Sequence, residues 1–133
     1  MRMSRSAFQK AMKAMPASLM HAYVQAFMEQ VLVSGACNGA HSVKLRLARW
    51  LLMMDDRTDG NILQITQTLL AEMLGVYRPT ITNALREFEK AGLVAPGQRQ
   101  IVVLNRKALL QASCECYQLV RKRIAFHLPK TYP

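Results

Sequence analysis

Acidic side chains are scarce in this chain: eight Asp and Glu stand against eighteen Lys and Arg among 133 residues. Three of the acids, Asp55, Asp56 and Asp59, share one turn, and Glu72, Glu87 and Glu89 decorate helical stretches. No two of them form the facing carboxylate pair that acid–base catalysis would use. A strand-linked glycine loop, HExxH and GxSxG are all missing, so nucleotide hydrolysis, zinc-peptidase and serine-hydrolase chemistry have no starting point. No catalytic residue is assigned and no enzyme is expected. Apolar runs stop far short of the roughly 20 residues that cross a bilayer. The first fifteen residues lack the apolar core of a signal peptide, and a cytoplasmic, membrane-free protein is expected. Aromatic residues make up only 7% of the chain, and those on helices fall mostly at packing positions, which argues against stacking on single-stranded nucleic acid.

Cysteine is limited to three residues, an odd number without an export signal, which favours free thiols over disulfides. Cys114 and Cys116 form a CxC that can in principle hold a metal. On a continuous helix, residues two apart point roughly 200° away from each other, and His21, His41 and His127 are scattered along the chain. The expectation is therefore buried, inert cysteines, with no metal and no cofactor.

What the chain has is positive charge, +10 in all with an isoelectric point near 10.1, which suits a polyanionic partner. Residues 1–50 hold seven Lys or Arg and one acid, Glu29. The organising stretch is residues 66–90, TQTLLAEMLGVYRPTITNALREFEK. Leu69, Leu70 and Leu74 give one short helix an apolar face, and Ile81, Leu85 and Phe88 give a second helix another, at i, i+4, i+7 spacing. Thr66 can cap the first helix. Gly75 stands where a sharp helix–helix turn needs positive φ. Ala71 allows a close crossing and Ile81 plugs it. This is a helix-turn-helix pattern. The second helix leaves Arg78, Thr82, Asn83, Arg86 and Lys90 outward, residue types that pair with guanine, adenine and phosphate. A merely solvated polar face has the same composition.

The rest of the chain frames this unit. Residues 1–15 form at best a short basic helix, ended by Pro16. Residues 17–33 are strongly helical, with an apolar stripe of Met20, Val24, Phe27 and Val31. We read the stripe as a homodimer seam, although an internal core helix would carry the same pattern. Gly35 and Gly39 suggest a hinge or helix end. The next helix, capped by Ser42, turns Val43, Leu47, Trp50, Leu51 and Met54 inward and Lys44, Arg46 and Arg49 outward. After the turn at 55–60, residues 61–65 form a short strand. Gly92 is a natural helix stop, and Leu93-Val94 and 101–104 flank Pro96-Gly97 as a hairpin. Arg99 at its tip can touch phosphate. A helix from about Arg106 to Phe126 closes the chain, with Leu109, Leu110, Tyr117, Val120 and Ile124 buried.

Residues from about Pro16 to Leu128 resemble the C-terminal part of Crp/Fnr-family bacterial transcription regulators. The resemblance rests on the long helix ending in ACN, the HSVKLRLARWLL segment, the helix-turn-helix spacing and the IVVLNRKAL stretch. The CECY segment matches one branch of the family. It implies a mainly α fold with a small β-hairpin: a winged helix-turn-helix DNA-binding domain at 41–133, preceded by a dimerisation helix at 16–40 and a basic segment at 1–15. Family members read DNA with the first half of the second helix, here Arg78, Pro79, Thr80, Thr82 and Asn83. Arg78 and Thr80 agree with well-known members, whereas Pro79 replaces a frequent glutamate and Asn83 a frequent arginine. A proline at 79 also disfavours helix at Arg78, so a start one residue later is expected. A β-roll sensor has no room in the chain, and no small-molecule effector is expected. The partners expected are double-stranded DNA and a second copy of the chain. Two other functions remain open, a truncated modulator that pairs with a full-length relative and a non-specific basic nucleic-acid binder.

Overall fold

Pro16 lacks an amide hydrogen and fixes φ, so it separates two helices rather than continuing one. In the computed structural model, which describes residues 3–129, these are α1 (Arg5–Ala14) and α2 (Ala17–Ala40). Ser4 caps α1 by accepting a 3.2 Å hydrogen bond from the Ala7 amide. Met1 and Arg2 of the basic segment lie outside the described residues. The break expected near Gly35 does not occur: α2 runs through Gly35 and Gly39 and ends at Ala40. Each glycine costs a helix about 1 kcal/mol against alanine, which packing along α7 (Cys116–His127) offsets. Ala26 and Cys37 are the buried residues of α2.

α3 (Val43–Asp55) is the helix around which the core closes, with Leu47, Ala48, Leu51, Leu52 and Met53 buried. It touches α4 (Gln67–Leu74), α5 (Arg78–Lys90), α6 (Arg106–Gln111), α7 and β1 (Ile62–Leu63). A helix surrounded in this way has little solvent face, and the outward positions expected for Arg46 and Arg49 are both wrong. Arg49 is fully buried and Arg46 nearly so. Arg46 donates to Asn38 Oδ1 at 3.0 Å and to the Leu74 carbonyl at 3.3 Å, one of the α4 carbonyls that no helical amide can reach. Arg49 donates to Ser34 Oγ at 3.2 Å and stands 5.4 Å from the Trp50 ring centroid.

The hairpin of β2 (Val94–Pro96) and β3 (Ile101–Val103) forms as expected and gains a third strand. The sheet is antiparallel in the order β1-β3-β2, with Val102 opposite both Ile62 and Ala95. The single closing helix does not form. Asn105 caps α6 by accepting from the Ala108 amide at 3.0 Å, α6 stops at Gln111, and residues 112–115 turn before α7 begins. Leu109, Tyr117, Val120 and Ile124 are buried, while Leu110, expected inside, is exposed because Leu109 takes the core position of the short helix.

Asp55 and Asp56, legible only as turn residues, join α3 to the last two helices. The Arg106 guanidinium pairs with both carboxylates. The Tyr117 hydroxyl lies 3.0 Å from each oxygen of Asp56 and donates to that carboxylate. Burial and the bond to Asp56 push the Tyr117 phenol above its ordinary pKa. No helix among the described residues is long and apolar enough to cross a membrane.

Candidate functional site

The helix-turn-helix assembles from local rules that agree with one another. Thr66 Oγ1 accepts the Leu69 amide at 3.2 Å and starts α4. Gly75 adopts φ 64°, the left-handed conformation that turns the chain toward α5. Leu70, Ala71 and Leu74 are buried under Ile81, Ala84, Leu85 and Phe88. Leu69, expected in that face, is instead 46% exposed. At about 100° per residue it points roughly 150° from the mean direction of the buried three. Arg78 is the first residue of α5 and Pro79 lies in the first turn, so the helix does not start late.

The outer side of α5 brings most of the expected residues together. Arg78, Pro79, Thr82, Asn83 and Arg86 line one shallow cleft of about 340 Å³. A second cleft, of about 460 Å³, lies between the start of α4 and the hairpin tip. Arg99 shares its walls with Arg78, Thr66, Gln67, Thr68, Gly97 and Gln98. Thr80 looks to the other side, toward Ser42 and Lys44, and Asn83 borders both clefts. Lys90 is exposed at the far end of the helix, about 18 Å along the axis from Arg78. Thr82 differs from its neighbours in being half-buried, with its hydroxyl 2.7 Å from Gln67 Oε1. That proton is engaged within the protein, which leaves the oxygen lone pairs for an outside donor.

Gln67, Thr68 and Gln98 have no role in the sequence reading, and Lys44 figures there only as an outward residue of α3, where it is indeed exposed. A signal for the first two was present, since they directly follow the capping Thr66 at a helix start, where free amides attract anions. Lys44 forms an ion pair with Glu87, which offsets one of the few acids near the basic face.

On α2, Met20 is half-buried and Val24, Phe27 and Val31 are exposed. Leu19, Tyr23, Met28 and Leu32 extend the same exposed apolar surface.

A second constellation departs from the sequence reading. Because residues 112–115 are not helical, Cys114 and Cys116 do not diverge. Their sulfurs, Cys37 Sγ and one His41 ring nitrogen all lie within 4.8 Å of one another. Burial pushes all three thiols above the ordinary cysteine pKa. The second His41 nitrogen, Nε2, is 3.2 Å from Glu115 Oε1.

Comparison with known proteins bears on the helix-turn-helix. Residues 45–112, more than half of the chain, match the Crp-like helix-turn-helix domain. The HTH-type transcriptional regulator Cmr of Mycobacterium tuberculosis (strain CDC 1551 / Oshkosh) is 36% identical over 58 residues, which is 44% of this chain and 23% of Cmr. The crystal structure of a Crp/Fnr-family transcriptional regulator from Eubacterium rectale is 32% identical with a TM-score of 0.55, over 58% of this chain and 36% of that one. A CRP-family regulator from Thermus thermophilus shares the fold over 84% of this chain and 55% of its own, with a TM-score of 0.62 at 18% identity. The chain thus spans about a quarter of the curated Cmr protein and little more than half of the Thermus regulator. Arg78, the turn at Gly75 and the β2–β3 hairpin all fall inside the matched segment, and the chain belongs to the Crp/Fnr family of transcription regulators, whose helix-turn-helix domain it carries.

Proposed function

We propose that this chain is a sequence-specific, double-stranded DNA-binding regulator that reads the major groove with α5 and acts in the cytoplasm as a homodimer. The observation that carries the reading is the grouping of Arg78, Asn83 and Arg86 on one exposed face, with Arg99 of the hairpin beside Arg78. A guanidinium fork pairs with the O6 and N7 of guanine and a carboxamide with adenine. The N-terminal turns of such a helix approach base edges while flanking cations hold phosphate. A net charge of +10 adds affinity that does not depend on sequence.

Two substitutions on the same helix separate reading from holding. Arg78→Ala is expected to cost about 1–3 kcal/mol on the preferred duplex and to relax preference at one base pair. Lys90→Ala is expected to weaken all duplexes alike and to flatten the salt dependence by about one unit. Titrations on the preferred site, on single-base variants of it and on random DNA check both. An Arg78→Ala loss equal on every sequence would reduce that residue to a phosphate contact.

A second reading has its own support in α2. Its apolar face is exposed along its length, which suits pairing with a full-length relative as well as with an identical chain. In that case the chain acts as a modulator of the longer protein.

A further inference from the structure

We propose that Cys37, His41, Cys114 and Cys116 form a closed binding site for one thiophilic divalent cation of the zinc type, which ties the end of α2 to the α6–α7 junction. Four ligands of this kind, three sulfurs and one imidazole nitrogen, are a common structural zinc set. Zinc–sulfur bonds of about 2.3 Å and zinc–nitrogen bonds of about 2.0–2.1 Å imply tetrahedral edges of about 3.8 Å between sulfurs and about 3.6 Å between sulfur and nitrogen. The observed edges are 3.6 Å for Cys37 Sγ to Cys114 Sγ and 3.6 Å for Cys116 Sγ to His41 Nδ1. These are two of the six edges, and all four ligand atoms lie within 4.8 Å of one another, so the longest edge has to shorten by no more than about 1 Å for the four to meet one ion.

Two neighbours fit the same reading. With Nδ1 toward the sulfurs, His41 presents Nε2 to Glu115, the carboxylate–imidazole pairing that fixes the orientation of a metal-bound histidine. The fully buried Arg49 lies within Coulombic reach of Cys37, and its Nε and Nη2 have no hydrogen-bond partner among the described residues. A divalent ion held by three thiolates and a neutral imidazole carries a net charge of −1, which suits a nearby buried guanidinium. Binding releases the three thiol protons to solvent and changes no oxidation state. All four positions come from protein, so the ion would be structural and hold no reactant.

The position gives the site its consequence. Cys37 and His41 end the helix proposed to join two copies, while Cys114 and Cys116 belong to the domain that carries α5. An ion there would fix the angle between the pairing helix and the DNA-facing helix.

The test uses the full chain, purified reduced and stripped with chelator, then titrated with Co²⁺ and Zn²⁺. One Co²⁺ per chain is expected, with thiolate-to-cobalt charge transfer, the intense visible bands of a tetrahedral ion, and displacement by Zn²⁺. Zinc should raise Tm, and Cys114→Ser should abolish both the spectrum and the shift. Glu115→Gln, at an exposed position that leaves folding intact, should lower cobalt affinity roughly 10–100-fold. Three results would overturn the proposal: no thiolate charge transfer, binding unaltered in both variants, or a Cys37–Cys114 disulfide that persists under reductant and excludes the ion.

Discussion

Phe27→Glu combined with Val31→Glu should convert a dimer into a folded monomer and lower affinity for a two-half-site duplex by roughly 10²–10⁴-fold, the range lost when linked sites act singly. Both side chains are about half exposed, at 53% and 47%. Surface changes of this kind usually alter stability by no more than about 0.5 kcal/mol. The buried side of α2, including Ala26 and Cys37, is left untouched. In the dimer, by contrast, each glutamate would be pressed into an apolar seam beside its symmetry mate. Sedimentation equilibrium gives the oligomeric state, and titration on one and two half-sites gives the affinity. A variant that stays dimeric with unchanged binding would place the seam elsewhere. If the wild-type chain is monomeric alone but pairs with a longer relative through these residues, the modulator reading takes over.

The second large effect concerns stability. Asp56→Ala should lower the unfolding free energy by about 3 kcal/mol, toward the lower end for breaking a buried ion pair. The Asp56 side chain is only 5% exposed, and it holds the Tyr117 hydroxyl and the partly exposed Arg106 together. Removing it takes away the acceptor of the Tyr117 hydroxyl and leaves Arg106 with the Asp55 carboxylate alone at the junction of α3, α6 and α7. Asp55→Ala should cost less, since Arg106 retains Asp56. Urea denaturation checks both, and near-equal losses would mean that the two carboxylates act as one unit. The same network predicts an alkaline limit. The Tyr117 pKa is raised by burial and by Asp56, so in the unfolded chain the phenol ionises first. Its contribution is intact below pH about 10 and is lost as pH rises through the folded value. Tyr117→Phe should remove that part of the slope.

The helix-turn-helix was legible because its determinants are local. Thr66, Gly75 and Ile81 each act within a few residues, and periodicity alone assigns Leu85 and Phe88 to the core. The hairpin was legible from its β-type runs and Pro96-Gly97. Features set by distant partners were not. Arg46 and Arg49 are polar by identity and inside by topology, because α3 has neighbours on nearly every side. Asp55 and Asp56 look like turn residues until Arg106 arrives from 51 and 50 residues away and Tyr117 from 61. The cysteine cluster was hidden for a specific reason: Cys114 and Cys116 diverge only on a continuous helix, and the turn at 112–115 removes it. Cys37 and His41 stand at the last turn and the C-cap of α2, beyond the Gly35 where the sequence suggests a hinge or helix end. Within the proposed DNA-facing surface, Arg78, Asn83 and Arg86 follow from the helical period, whereas Gln67 and Thr68 carry only a helix-start signal, and their place beside the hairpin tip is set by the tertiary fold.

The central claim, sequence-specific reading by a dimer, is tested most directly by selecting sites from a random duplex library and titrating salt on the winner. A roughly palindromic site is expected, with half-sites about one helical turn apart and an affinity well above that for random DNA. A flat selection with a steep salt slope would contradict it, leaving a basic surface that holds phosphate and reads nothing.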